Sequence, residues 1–221
     1  MVRKYKHANG LIYKLKQKEK MKKLLLSMVA VVAFGLSTQA QTEKGNVLLG
    51  GNVGFNTSKT DGAAKSDVSF NIVPSVGYFV SDNFAIGTGV GYTYDKQVSD
   101  NNLNQAFQVS PFGRYYVDLS DQFKFFGQLS VPMAFGNNKF VSDQGDVADD
   151  KYASTTSIGV NLAPGFAFYP TKRIGIEFSV NGLAYNHFKV KDEVTGGESK
   201  NNSFGLDADT FAPKLGVMFH F

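Results

Sequence analysis

Enzymatic chemistry needs a nucleophile, a titratable base or a metal-binding cluster, and this chain is poor in all three. It has three histidines and no cysteine, which excludes a thiol nucleophile, a Cys-ligated zinc or iron–sulfur site and a disulfide scaffold. His7 lies in a basic leader, so His187 and His220 remain, too few for a histidine metal cluster. A lipid esterase would need a Ser or Asp beside a histidine. His187 is followed by Phe188 and Lys189 at the tip of an extended segment and reads as an interfacial histidine. The acidic stretch holding Asp143, Asp146, Asp149 and Asp150 lacks the regular ligand alternation and final Glu of an EF-hand, so it reads as a solvated loop. No catalytic residue, metal site or cofactor is expected.

The charged groups that do carry meaning are those the pattern turns inward. Arg114, Lys124, Glu177 and Lys214, with His220, fall by parity on the minor faces of alternating segments. Charges held away from bulk water persist only when paired or hydrogen-bonded. Glu177 is therefore expected to accept from at least one of Arg114, Lys124 or Lys214. Such a cluster could gate a narrow ion path or satisfy a filled interior as a structural plug. The plug is favoured, because interiors enclosed by eight strands are normally filled by side chains.

The elements that must position these groups are strands. Period-two alternation recurs along the chain, as in Phe84–Tyr92 and at Leu215, Val217, Phe219 and Phe221. Strands are predicted over about 46–57, 67–80, 84–95, 105–117, 123–135, 152–169, 174–188 and 204–221. Tight turns fall at Ser81–Asn83, Asp118–Asp121 and Thr171–Arg173, and longer polar connections at about 58–66, 96–104, 136–151 and 189–203. Long and short alternate strictly, so all long loops leave one end and all short turns the other. An all-β, closed, eight-stranded antiparallel transmembrane barrel with short periplasmic turns and longer extracellular loops has this layout. Pro74, Pro111, Pro132, Pro164 and Pro213 fall inside the predicted strands and are read as bulges or near-end positions.

Charge distinguishes a membrane barrel from a soluble one. The minor faces are Gly, Ala, Ser, Asn and Gln, a poor solvent coat but a good lumen, so the bulky faces point outward into hydrocarbon. Tyr78, Phe84, Tyr115, Phe123, Phe168 and Phe219 lie near the short-turn end, and Phe55, Phe70, Tyr92, Phe107, Phe135, Tyr152 and Tyr185 near the other. Two such bands match the girdles at the two bilayer interfaces.

The formal charge of +4 conceals an asymmetry. Residues 1–23 hold nine Lys or Arg against one acidic residue, whereas 41–221 hold 14 against 18, so the body is acidic and no nucleic-acid partner is expected. Met21-Lys22-Lys23, the apolar run Leu24–Leu36 and Ser37-Thr38-Gln39-Ala40 form the three parts of a secretory signal peptide. Segment 21–40 is thus expected to be a signal peptide cut near Ala40–Gln41. Segment 1–20 reads as an upstream extension or a mis-assigned start, and 41–221 as the barrel.

The unit Val76–Gly87, echoed at Tyr115–Asp118 and Phe168–Pro170, resembles the eight-stranded outer-membrane β-barrel domains related to OmpA and OmpX over about 46–221. The ending Leu215, Val217, Phe219 and Phe221 looks like the terminal signal read by the barrel-assembly machinery. The resemblance implies a bacterial outer-membrane protein in contact with outer-membrane lipid, and a monomer is expected. The family is functionally mixed, so it constrains fold more than task. The leading expectation is a non-catalytic structural or surface-interaction (adhesion-like) barrel, engaging an extracellular ligand through loops 136–151 and 189–203. The alternatives are a narrow pore or small-molecule conduit and, less favoured, a lipid-modifying enzyme.

Overall fold

The computed structural model describes residues 42–61, 64–207 and 214–221. The signal-peptide and start-site expectations for 1–40 lie outside the described residues, as does Pro213. Among the described residues are eleven antiparallel strands: β1 (Val47–Ser58), β2 (Asp67–Ser81), β3 (Phe84–Gln97), β4 (Asn102–Asp118), β5 (Phe123–Ser130), β6 (Met133–Val141), β7 (Val147–Thr171), β8 (Ile174–Ser179), β9 (Gly182–Asp192), β10 (Glu198–Asp207) and β11 (Lys214–His220). They make eight spanning staves, because β5 with β6, β8 with β9, and β10 with β11 are successive parts of single traverses. Each stave pairs with its sequence neighbours, and Leu48 opposite His220 with Leu49 opposite Phe219 close β1 onto β11. The barrel is all-β and closed, as the alternation predicts.

Alternation sorts the two faces. Ile86, Val90, Tyr115, Leu129, Val160, Phe166 and Val217 point outward and are exposed, while Leu48, Phe79, Ala85, Tyr116, Phe126 and Ala167 are buried inside. The interior is not lined by small residues throughout. Toward the short-turn end it is packed with Phe79, Tyr116, Phe126, Tyr169, Leu48 and Met218, a correction to the expected Gly, Ala and amide lining. The physical reason is volume: Gly and Ala side chains cannot fill the barrel's cross-section, and a void there would forfeit dispersion contacts.

The stave interruptions have local causes. β5 gives way to β6 at Val131–Pro132, where Pro132 has no N–H and the Val131 amide donates to Pro111 of β4. β8 gives way to β9 at Val180–Asn181, followed by Gly182 at φ +66°. A Cβ at Gly182 would stand 2.0 Å from the Leu162 carbonyl oxygen, so only glycine fits. Pro74, Pro111 and Pro164 stay inside ladders, opposite Gly51, Thr88 and Gly127.

At the other end the staves run further than expected. β6 continues to Val141 and β7 starts at Val147, so the expected loop 136–151 is a hairpin whose turn is 142–146. Segment 189–203 is likewise mostly ladder, from Lys191 opposite Glu198 to His187 opposite Asn202, around a turn at 193–197. The strands of these arms carry polar residues such as Asn137, Asn138, Asp149, Lys189 and Lys191 on both faces among scattered apolar ones, so they show no regular hydrophobic alternation. Val98, Leu103 and Val141, with Tyr94 against them, form a small satellite cluster that pins adjacent turns together.

Candidate functional site

The interior charges converge on one arrangement. β3, β4 and β5 place Ala85, Arg114 and Gln128 in one register row, while β5, β7 and β8 place Lys124, Ala167 and Glu177 in another. Arg114 reaches across the lumen to Glu177, donating through one terminal nitrogen to both carboxylate oxygens at 2.7 and 2.9 Å. Its Nε and other terminal nitrogen donate to the Gln128 amide oxygen at 2.8 and 2.6 Å. The Tyr116 hydroxyl accepts from Arg114 at 3.0 Å and lies 3.3 Å from Glu177 as a donor. The guanidinium carbon also sits 4.5 Å from the Phe126 ring centroid. Both charges are almost fully buried, and each is neutralised by the other.

The other expected members go elsewhere. Lys124 does not reach Glu177; its ammonium pairs with Asp118 at the short-turn end. His220 is buried beneath the pair, with its ring 5.2 Å from Tyr169 and 5.9 Å from Phe79, and its Nε2 is 3.4 Å from the Tyr169 hydroxyl. The Lys214 and Leu215 side chains lie outside the described residues. Val217 and Phe219 face outward and are exposed, and Phe221 follows β11 as the last residue. His187 meets the Asn202 amide oxygen at 2.7 Å on the β9–β10 arm. Asp143 accepts from Asn101 at 2.8 Å and Asp146 faces Lys65 at 3.9 Å, so these two carboxylates are engaged in turn geometry. Among the described residues no cluster of His, Asp or Glu is arranged to hold a metal ion.

The aromatic plug is not legible in the hydrophobic alternation. Tyr116, Phe79, Phe126, Tyr169 and His220 fill the lumen below the ion pair, with neighbouring ring centroids 5.2 to 5.9 Å apart along the series. Each inward ring is chain-adjacent to an outward one: Tyr78-Phe79, Tyr115-Tyr116, Phe125-Phe126, Phe168-Tyr169 and Phe219-His220. Those aromatic dyads beside every short turn are the sequence signal that could have found it. Above the pair the lumen opens into a cavity of about 570 Å³. Asn52, Asn71, Gln108, Ser110 and Asn161 are on its walls, and Arg114, Gln128 and Glu177 also line it.

A closed antiparallel barrel with an apolar exterior, two aromatic bands and a buried ion pair over a packed plug defines the class as a β-barrel membrane protein. Residues 26–221 match the outer membrane protein beta-barrel domain, and the chain belongs to that family. Its place is the bacterial outer membrane. Among solved structures it is similar to Neisserial surface protein A, at 17% identity and TM-score 0.43, over 80% of this chain and 98% of that one. It is also similar to OprG of Pseudomonas aeruginosa, at 14% identity and TM-score 0.44, over 83% and 99%. Ail, the attachment invasion locus protein of Yersinia pestis, is similar at 13% identity and TM-score 0.39, over 80% and 99%. No curated protein matches the chain.

Proposed function

We propose that the protein is a non-catalytic outer-membrane barrel that acts through its extracellular hairpins in a structural or surface-interaction, adhesion-like role. The observation that carries this reading is the packed plug. Phe79, Tyr116, Phe126 and Tyr169 leave at most 2% of their surfaces exposed and occupy the lumen at the short-turn, periplasmic end. A lumen filled there opposes the narrow-pore alternative, so the surfaces left for work are those above the membrane. The β6–β7 and β9–β10 arms are built to present such a surface. Tyr152 stacks on Phe140 at 4.3 Å and donates to Asn102 at 2.9 Å, while Lys189 pairs with Glu198 at 2.6 Å and Lys151 with Glu193 at 3.1 Å. Rigid arms lose less entropy on binding a partner than free loops do.

His187 is engaged with an amide and His220 with aromatic rings, which supports the absence of catalysis. In the same reading the signal peptide is removed near Ala40–Gln41, the barrel-assembly machinery reads the closing Leu215, Val217, Phe219 and Phe221, and the barrel is monomeric in lipid. Two measurements test the function. Purified barrel in planar bilayers should give no steady unitary conductance. Replacing turns 142–146 and 193–197 with Asn-Gly should leave the barrel folded while lowering binding to host or envelope components about tenfold. Steady, salt-dependent conductance with unchanged surface binding would overturn it.

A further inference from the structure

The wall of the barrel has a notch in its hydrogen-bond ladder, and the cavity above the ion pair lies behind it. β1 pairs with β2 along its whole length to Ser58, but among the described residues it pairs with β11 only at Leu48 and Leu49. Both strands continue beyond that point, β1 upward from Gly50 and β11 downward in number to Lys214, without ladder pairing to each other. The departure starts where Gly51 takes φ +137°. A Cβ there would stand 2.4 Å from the Val73 carbonyl oxygen, so the conformation demands glycine. Its cross-strand partner on the other side is Pro74, which has no N–H to offer.

Two cavities flank the strand at this place. Gly51 and Asn52 line both the lumen cavity and an outward groove of about 320 Å³. The groove is walled by Val53, Ile72, Val217 and Phe219, all exposed on the lipid-facing side. It lies between the two aromatic bands, since Val47 is level with Tyr78 and Phe55 with Phe70. Its surroundings are therefore acyl chains. Backbone groups at that depth cost several kcal/mol each when unsatisfied, so an unpaired seam requires polar atoms within it. The cavity behind the seam offers amides and hydroxyls, and its two charges, Arg114 and Glu177, neutralise one another. The Asn161 amide oxygen on that wall is buried and has no hydrogen-bond partner, so it can accept from a hydroxyl.

We propose that this notch and cavity together bind a single-chain amphiphile with an uncharged, hydroxyl-bearing head. The head enters the cavity between Asn52 and Asn161 and supplies hydrogen bonds to the unpaired backbone and to the Asn161 oxygen. The acyl chain leaves through the notch and lies along Val53, Ile72, Val217 and Phe219. A charged head would find no free counter-charge there. The plug closes the cavity toward the periplasm, so this is a binding site and not a passage.

The test uses the mature barrel in phosphatidylcholine vesicles with a monoacylglycerol carrying a diazirine at mid-chain. Photolysis should label peptides containing Val53 and Val217 about tenfold more than those containing Ile86 or Val160 on the plain wall. Unlabelled monoacylglycerol should compete this labelling away, and an alkane of equal chain length should not. Asn52→Trp, which sets a ring where the two cavities flank the strand, should abolish the excess. Asn161→Leu should weaken competition about tenfold while the heat-dependent gel shift of a folded barrel is retained. Uniform labelling around the barrel, equal competition by the alkane, or a folded Asn161→Leu barrel that competes as the wild type does would each overturn the proposal.

Discussion

At the scale of single residues, the Arg114–Glu177 pair is the most consequential contact. Two buried charges are tolerable only together, because removing either leaves the other unpaired in a poorly hydrated interior. Arg114→Met and Glu177→Leu should each destabilise the barrel by about 3–5 kcal/mol in urea unfolding from lipid vesicles. The double variant should recover most of that loss, since an apolar pair has no charge to strand. Single variants within about 1 kcal/mol of the wild type would show the pair to be well hydrated. Parity alone places Arg114, Lys124 and Glu177 on one face, so the candidates were legible in the sequence. Their partners were not, because stagger between staves decides which inward residues meet. Lys124 shares a register row with Glu177 yet bonds Asp118, six residues before it in the chain, across the turn.

Among elements, the hairpin arms and the staves differ in how plainly the sequence announces them. Staves facing hydrocarbon must alternate in hydrophobicity, so Phe84–Tyr92 declares itself. The arm formed by β9 and β10 has Lys189 and Lys191 opposite Lys200 and Glu198, and Asn201 and Asn202 opposite Phe188 and His187; with solvent on both sides nothing forces alternation. The plug escaped for a different reason, since aromatic dyads such as Tyr115-Tyr116 present a ring to each face and mask parity. The arm's turn carries a pH signature. Asp192 accepts from the amides of Val194 at 2.7 Å and Thr195 at 2.8 Å. The Thr195 amide first, then that of Val194, holds its carboxyl below the ordinary aspartate range. A depressed folded value means the turn is stabilised above the unfolded pKa, about 3.9, and loses that support as pH falls through the folded value. The amide resonances of Val194 and Thr195 should therefore titrate with a midpoint below about 3.9, and Asp192→Asn should abolish the titration. A midpoint at or above the ordinary value would mean the amides do not hold the carboxylate.

For the whole molecule, everything rests on which face meets lipid. Bulky side chains cover the outside because hydrocarbon accepts them without cost, while the inside divides into a packed aromatic half and a polar, water-accessible half. The sequence has no cysteine, so single cysteines can be placed and spin-labelled without competing thiols. Labels at Ile86, Val160 and Val217, 49%, 44% and 47% exposed on the outer face, should collide freely with dissolved oxygen and rarely with a water-soluble nickel complex. Labels at Ser75 and Ser110, on the cavity wall, should show the reverse. Nickel contact at Ile86, Val160 and Val217, with oxygen contact at the two serines, would contradict the orientation on which the barrel's reading depends.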